Sequence, residues 1–162
     1  MCHPPSGLFY NNCRHEDIVG PNANERCSIH FWAEHGIAGR GVLLDYGSYA
    51  QKHGIDFNPQ SNHAIGFEDL VKVGNEQGIN IRPAAQGGDI KVGEILFLRT
   101  GWTAGYLEKI QKNASASDLG QDTLDPFHRN KCIGLKQETA VLDWIHDCYM
   151  AAIATDSPTF EV

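Results

Sequence analysis

Along this sequence, short runs of apolar residues alternate with segments in which apolar residues recur at helical spacing. Runs at residues 42–44, 94–99 and 149–154 are too short for helices and predict strands. Apolar residues recur at helical spacing over 67–77 and 136–147, and shorter helices are predicted over 48–53 and 103–111. Strands that alternate with helices in this way are typical of an α/β fold, which we therefore predict.

The amino-terminal quarter has a weaker pattern. Residues 1–27 are irregular, and Ile29, Trp32 and Ala33 predict a helix over 24–35 that ends at Gly36. We find no internal repeat and no linker, so we predict one domain over residues 1–162.

Composition excludes several classes of partner. The formal net charge is -7 and the basic residues are scattered, which argues against binding of nucleic acid. No apolar run approaches the length of a membrane span, so we expect no membrane partner. Five cysteines without a C-x-x-C pair favour reduced thiols and a cytoplasmic location.

The chain has eight histidines, a residue type that binds metals, but their spacing does not identify a metal site. His30 and His35 are five residues apart and would diverge on a helix, which favours surface or capping roles. His128 and Cys132 are four apart, although the segment between them is loop-like and two ligands form a weak motif. Sequence motifs of zinc proteases, serine hydrolases and P-loop enzymes are absent from the chain.

The residues that follow the predicted strands are better candidates. Ligands of α/β proteins bind beyond the carboxyl ends of the strands. We therefore predict a substrate pocket lined by Asp45, Tyr46, Arg99, Thr100 and Trp102. The segment Asp156-Ser157-Pro158 follows the last strand in the same way, and the alternative is that these residues are helix caps and turns.

Four blocks of the sequence carry a family resemblance. They read W-A-E-H-G-I-A-G-R-G-V-L-L-D-Y, I-L-F-L-R-T-G-W-T-A-G-Y, G-L-K-Q-E-T-A-V-L-D-W-I and A-I-A-T-D-S-P-T-F-E, preceded by Phe9-Tyr10-Asn11. In this order they resemble the cyclase-like, metal-dependent hydrolase family that includes kynurenine formamidases, and its fungal cyclase branch in particular.

The resemblance implies a swivelling β/β/α domain with a mixed sheet, assembled as a homo-oligomer. It also implies a divalent metal, zinc or manganese, that activates water to hydrolyse an amide of a small-molecule substrate such as N-formylkynurenine.

The chain departs from the metal-binding signature of this family. Neither H-x-G-T-H-x-D-x-P-x-H nor the fungal W-D-G form with a later histidine is present. His3 and Glu138 are the two residues that the resemblance nominates as metal ligands, whereas a hydrolytic site needs about three. We therefore expect a family member that lacks its amino-terminal metal-motif segment and has impaired activity. Its sheet should be incomplete, with an unpaired edge. One expected outcome is that no metal is bound.

Two other interpretations remain open. The chain could be a non-catalytic relative that acts as an oligomer or regulatory partner, or the product of a gene model with a misplaced start.

Overall fold

A computed structural model describes residues 8–9, 12–59, 61–112 and 132–162. The chain divides into two compact units, residues 1–38 and residues 39–162, which are described separately.

The first unit contains two short helices, α1 (His15–Ile18) and α2 (His30–His35). The helix predicted over 24–35 is therefore too long, because only its last six residues are helical. Polar side chains before α2 bind neighbouring backbone instead: the Arg26 N–H donates to Asn24 Oδ1 at 3.1 Å, and the His30 N–H donates to Ser28 Oγ at 3.2 Å. Such local hydrogen bonds compete with those of a helix.

The second unit alternates strands and helices, as the sequence predicts. In chain order its elements are β1 (Gly41–Asp45), α3 (Tyr46–Lys52), β2 (Ala64–Ile65), α4 (Phe67–Glu76), a 3₁₀ turn (Ala84–Gln86), β3 (Ile95–Arg99), α5 (Trp102–Lys112), β4 (Gly134–Leu135), α6 (Thr139–Asp147) and β5 (Ala152–Thr155).

The strands form two parallel sheets. One has the order β1-β3-β5, and the other pairs β2 with β4. The α/β class is confirmed, but the predicted mixed sheet is not found among the described strands, whose ladders are all parallel. Each of these pairs is joined by a long connection that contains a helix, which is the connection that parallel strands require.

One face of the three-stranded sheet forms the core of the second unit. Val42, Leu44, Leu96 and Leu98 on this face are at most 6% exposed. They belong to one apolar cluster with residues of α4 and α6, among them Leu70, Val73, Val141 and Trp144. The opposite face is open, since Leu43 is 46% exposed and its register partner Phe97 is 44% exposed. Parallel sheets are usually covered on both faces.

Within the described part of the chain, no helix is both long enough and apolar enough to cross a bilayer.

Candidate functional site

The carboxyl ends of β1 and β3 lie side by side, because Asp45 is the register partner of Arg99. Arg99 Nη1 donates to Asp45 Oδ1 at 2.7 Å and to Ser48 Oγ at 3.0 Å. Asp45 also caps α3, since it accepts the Ser48 N–H and the Ser48 hydroxyl, each at 2.9 Å. The structure thus brings together two of the predicted pocket residues and adds Ser48 to them.

These contacts keep Asp45 ionised. Partial burial disfavours its charged form, but the Ser48 N–H, Arg99 and the Ser48 hydroxyl together outweigh burial and hold its pKa below the ordinary value. An aspartate with a lowered pKa is a weak base near neutral pH, so its role here is to cap α3 and to orient Arg99. Among the described residues, the Nε and Nη2 groups of Arg99 have no hydrogen-bond acceptor.

A second polar network joins the end of β3 to the segment after β5. Asp156 Oδ1 accepts the Thr100 N–H at 2.6 Å and the Thr100 hydroxyl at 2.7 Å, and Asp156 Oδ2 accepts the Gly101 N–H at 3.0 Å. The Thr103 hydroxyl donates to the Asp156 carbonyl at 2.8 Å. A carboxylate thus lies at the positive amino terminus of α5, where the helix dipole favours negative charge.

The start of α3 approaches this network very closely. A Cβ atom on Gly47 would lie 3.1 Å from the Gly101 nitrogen and 3.2 Å from the Thr100 carbonyl carbon. Gly101 itself has a φ of +87°, a conformation that other residues rarely adopt. The two glycines therefore let the backbone of α3 pack directly against the end of β3.

Two buried polar atoms beside this network have no hydrogen-bond partner within the part of the chain that the structure describes. They are Trp102 Nε1, in the first residue of α5, and Ser157 Oγ, which follows Asp156. The Trp102 ring is 8% exposed and stacks on Tyr106, with ring centroids 5.1 Å apart. Buried donors of this kind are nearly always paired in proteins, so each of them calls for an explanation.

Tyr46 is placed differently from the other predicted pocket residues. Its side chain is 2% exposed and shares a 2.6 Å hydrogen bond with His63 Nε2, so it belongs to the core. Burial raises the pKa of Tyr46 to about 12 and lowers the pKa of His63. Phe57 packs on the His63 ring, with ring centroids 4.9 Å apart, and both side chains are partly buried beside Tyr46.

Glu138, the predicted metal ligand of the second half, lies at a separate location. It is the N-cap residue of α6 and lines an open groove of about 680 Å³ together with Gly66, Phe67, Asp69 and Lys136. Glu138 Oε1 accepts the Phe67 N–H at 2.7 Å, and Glu138 Oε2 pairs with Lys136 Nζ at 2.9 Å. The Phe67 N–H first, and then Lys136, lower the pKa of Glu138. Its carboxylate thus links the first turn of α4 to the start of α6.

The described residues do not complete a metal site around Glu138. Within ranges 8–9, 12–59, 61–112 and 132–162, no group of three histidine, cysteine, aspartate or glutamate residues could hold an ion. His3 and His128 lie outside the described residues. His35 Nδ1 contacts the Phe31 carbonyl oxygen at 2.9 Å, the capping role considered for it, and the described cysteines are free thiols.

Sequence reasoning missed His63 and the groove around Glu138. His63 directly precedes β2, a strand of only two residues, which is too short to give a pattern in the sequence. The sequence did contain a usable signal for the start of α4. Glu68 and Asp69 are acidic residues of the kind that favours the first turn of a helix, and both lie in the first turn of α4.

Comparisons with known proteins leave the family of this chain open. No protein-family profile matches the sequence, and no curated protein matches it. Among solved structures, the chain is similar to a crystal structure described as a novel cyclase, with 23% identity and a TM-score of 0.49. The match covers 93% of this chain and 42% of that chain, so this chain spans less than half the length of its structural neighbour. Similarity at this level does not assign a function.

Proposed function

We propose that this chain is the scaffold of a cyclase-like, metal-dependent amide hydrolase with a swivelling β/β/α domain, and that its activity is impaired. The substrate class is a small aryl amide such as N-formylkynurenine. The substrate is bound at the carboxyl ends of β1, β3 and β5, and the chain assembles as a homo-oligomer.

The observation that carries this proposal is the buried Nε1–H of Trp102, the first residue of α5, which has no hydrogen-bond partner among the described residues. A buried donor without an acceptor costs about 1–3 kcal/mol. A ligand carbonyl or carboxylate that reached this N–H after movement of the side chains that cover it would recover that free energy. Three of the resemblance blocks contain β1, β3 and β5, so the segments that carry the resemblance also build the proposed site.

Arg99 supplies a second recognition element. It is 42% exposed at its side chain, and its ion pair with Asp45 uses only Nη1. The remaining guanidinium donors suit the planar carboxylate of an amino-acid substrate such as N-formylkynurenine.

The ion implied by the resemblance would polarise the amide carbonyl and lower the pKa of a bound water. Glu138 lies apart from the strand ends and both of its carboxylate oxygens are already bonded, so the described residues do not fit such an ion. We therefore expect turnover to be slow.

Calorimetric titration of the purified chain with N-formylkynurenine tests the proposal. We expect binding that Trp102→Phe weakens about fivefold or more, since the variant keeps an aromatic ring and loses only the indole N–H. Trp32→Phe is the matched control, because Trp32 is 54% exposed in the first unit. No binding of N-formylkynurenine, or equal binding by the wild type and Trp102→Phe, would contradict the proposal.

A second candidate function is a non-catalytic oligomer or regulatory partner. The open face of the three-stranded sheet, with Leu43 and Phe97 half exposed, favours it. A chain that binds the amide without hydrolysing it, and that co-purifies with a complete family member, would support this candidate over the hydrolase.

A further inference from the structure

Two cysteines of the first unit lie side by side. Cys13 precedes α1 and Cys27 precedes α2, and both are free thiols. Their side chains share a hydrogen bond, so the two sulfur atoms are neighbours. The residues are well separated in the sequence, which means that the fold of the first unit brings this thiol pair together.

Asp17 connects the chain segments on both sides of the thiol pair. Its Oδ1 accepts from Asn24 Nδ2 at 2.8 Å, and its backbone carbonyl accepts the Asn24 N–H at 2.8 Å. Asp17 Oδ2 accepts the Arg14 N–H at 2.9 Å and lies 3.7 Å from Arg26 Nη1. Arg14 and Arg26 are the sequence neighbours of the two cysteines, so these contacts hold the thiols next to each other.

The two thiols differ in accessibility. Cys13 is 0% exposed and is the only buried residue among those of the first unit that the structure describes, whereas Cys27 is exposed. Burial first, and then Cys27, raise the pKa of Cys13, so its thiol is protonated near neutral pH. The Arg26 guanidinium acts in the opposite direction and favours the thiolate that an attack by Cys13 requires. An oxidant from solution therefore reaches Cys27 first, with Cys13 beside it as the resolving thiol.

We propose that Cys13 and Cys27 form a reversible disulfide when the chain is exposed to a peroxide. Hydrogen peroxide transfers one oxygen atom to Cys27 Sγ, which gives a sulfenic acid and releases water. Cys13 Sγ then attacks Cys27 Sγ, the S–S bond forms, and the hydroxyl group leaves with the Cys13 proton as a second water. Two electrons pass from the thiol pair to the peroxide, whose O–O bond breaks. A dithiol reductant restores both thiols by exchange.

The disulfide closes residues 13–27 into a loop that contains α1. The helices of the first unit, α1 and α2, have only four and six residues, which is too short for a helix to be stable by itself. A cross-link removes conformations that are open to the reduced chain, so oxidation makes this part of the first unit more rigid. The modification lies outside the proposed substrate site, and the two proposals fail separately.

Peptide mapping under non-reducing conditions tests the disulfide in the purified chain. After treatment with hydrogen peroxide and alkylation of the remaining thiols, we expect Cys13 linked to Cys27 as the main disulfide, and dithiothreitol should restore both thiols. Hydrogen exchange measures the change in rigidity, because amides in 14–26 should exchange about fivefold or more slowly in the oxidised chain.

A thiol displaced by one residue provides the matched control. Cys27→Ser removes the exposed thiol and should leave Cys13 reduced. The double variant Cys27→Ser with Ser28→Cys keeps a thiol at an exposed position but moves it away from Cys13. Because disulfide geometry is specific, this variant should form the cross-link about tenfold or more slowly than the wild type.

A chain in which peroxide oxidises Cys27 but leaves Cys13 reduced would overturn the proposal, and so would a main disulfide between other cysteines. Equal rates of cross-linking in the wild type and the displaced variant would show that the fold does not pair these thiols and would overturn it as well. A disulfide between Cys13 and Cys27 that leaves exchange in 14–26 unchanged would contradict the predicted effect on the first unit.

Discussion

Asp156 makes the contacts that most directly hold the end of β3 to the segment after β5, so Asp156→Asn should measurably destabilise the chain. The carboxylate accepts three hydrogen bonds, two from Thr100 and one from Gly101. Asparagine has the same shape but keeps only one acceptor oxygen. Its NH₂ group must therefore face an N–H or O–H donor of Thr100 or Gly101, at a position where the wild type has a carboxylate oxygen that accepts the hydrogen bond.

The size of the effect follows from the bonds lost. A hydrogen bond to a charged group contributes about 1.5–3 kcal/mol, and a charge at a helix amino terminus adds about 0.3–1 kcal/mol. Thr100 is fully buried, so water cannot replace the lost partner. We expect Asp156→Asn to lower the free energy of unfolding by about 2–3 kcal/mol, which corresponds to a fall in Tm of about 4–12 °C.

Urea denaturation followed by far-ultraviolet circular dichroism measures this change. Asp143→Asn is the control, since it removes the same charge from an exposed position of α6 and should change stability by less than about 0.5 kcal/mol. If Asp156→Asn is as stable as Asp143→Asn, the network between β3 and Asp156 does not stabilise the fold and the reasoning is refuted.

Three further predictions concern other contacts in the second unit. Gly74→Ala should destabilise the chain by about 1–3 kcal/mol in urea melts, because the new methyl group would overlap Ile81 Cγ2; a gain in stability would show that the site has room. Burial lowers the pKa of His63, so stability should fall as the pH drops below about 6.5; His63→Gln should flatten this slope between pH 8 and 5, and an unchanged slope would exclude His63 as its source. Gln77→Ala removes the hydrogen bonds of Gln77 to the Leu43 carbonyl and the Asp45 N–H and should lower the free energy of unfolding by about 1–2 kcal/mol in urea melts; stability equal to that of the wild type would contradict a stabilising role for these bonds.

The main strands and helices of the second unit were predictable because their signals are local. The run at 42–44 lies within β1, and Asp45 caps the following helix, as considered from the sequence. β2 and β4 were missed, because each has two residues and pairs with a partner far away in the sequence, with α4, β3 and α5 between them. A local pattern contains no information about such a partner.

Tyr46 shows why the predicted pocket was only partly recovered. It follows a strand end, which is the expected place for a ligand contact, but it is the first residue of α3 and its side chain points to His63 in the core. The direction of a side chain at a strand-to-helix junction depends on the packing of the helix, which the sequence pattern does not give. Arg99 and Asp45, at the ends of paired strands, do lie together.

The rate of N-formylkynurenine hydrolysis by the purified chain, with zinc or manganese added, tests the central claim most directly. We predict a slow rate above that of the metal-only blank, lowered by Trp102→Phe but not by Trp32→Phe. A rate equal to the metal-only blank would contradict the assignment of hydrolase activity to this chain.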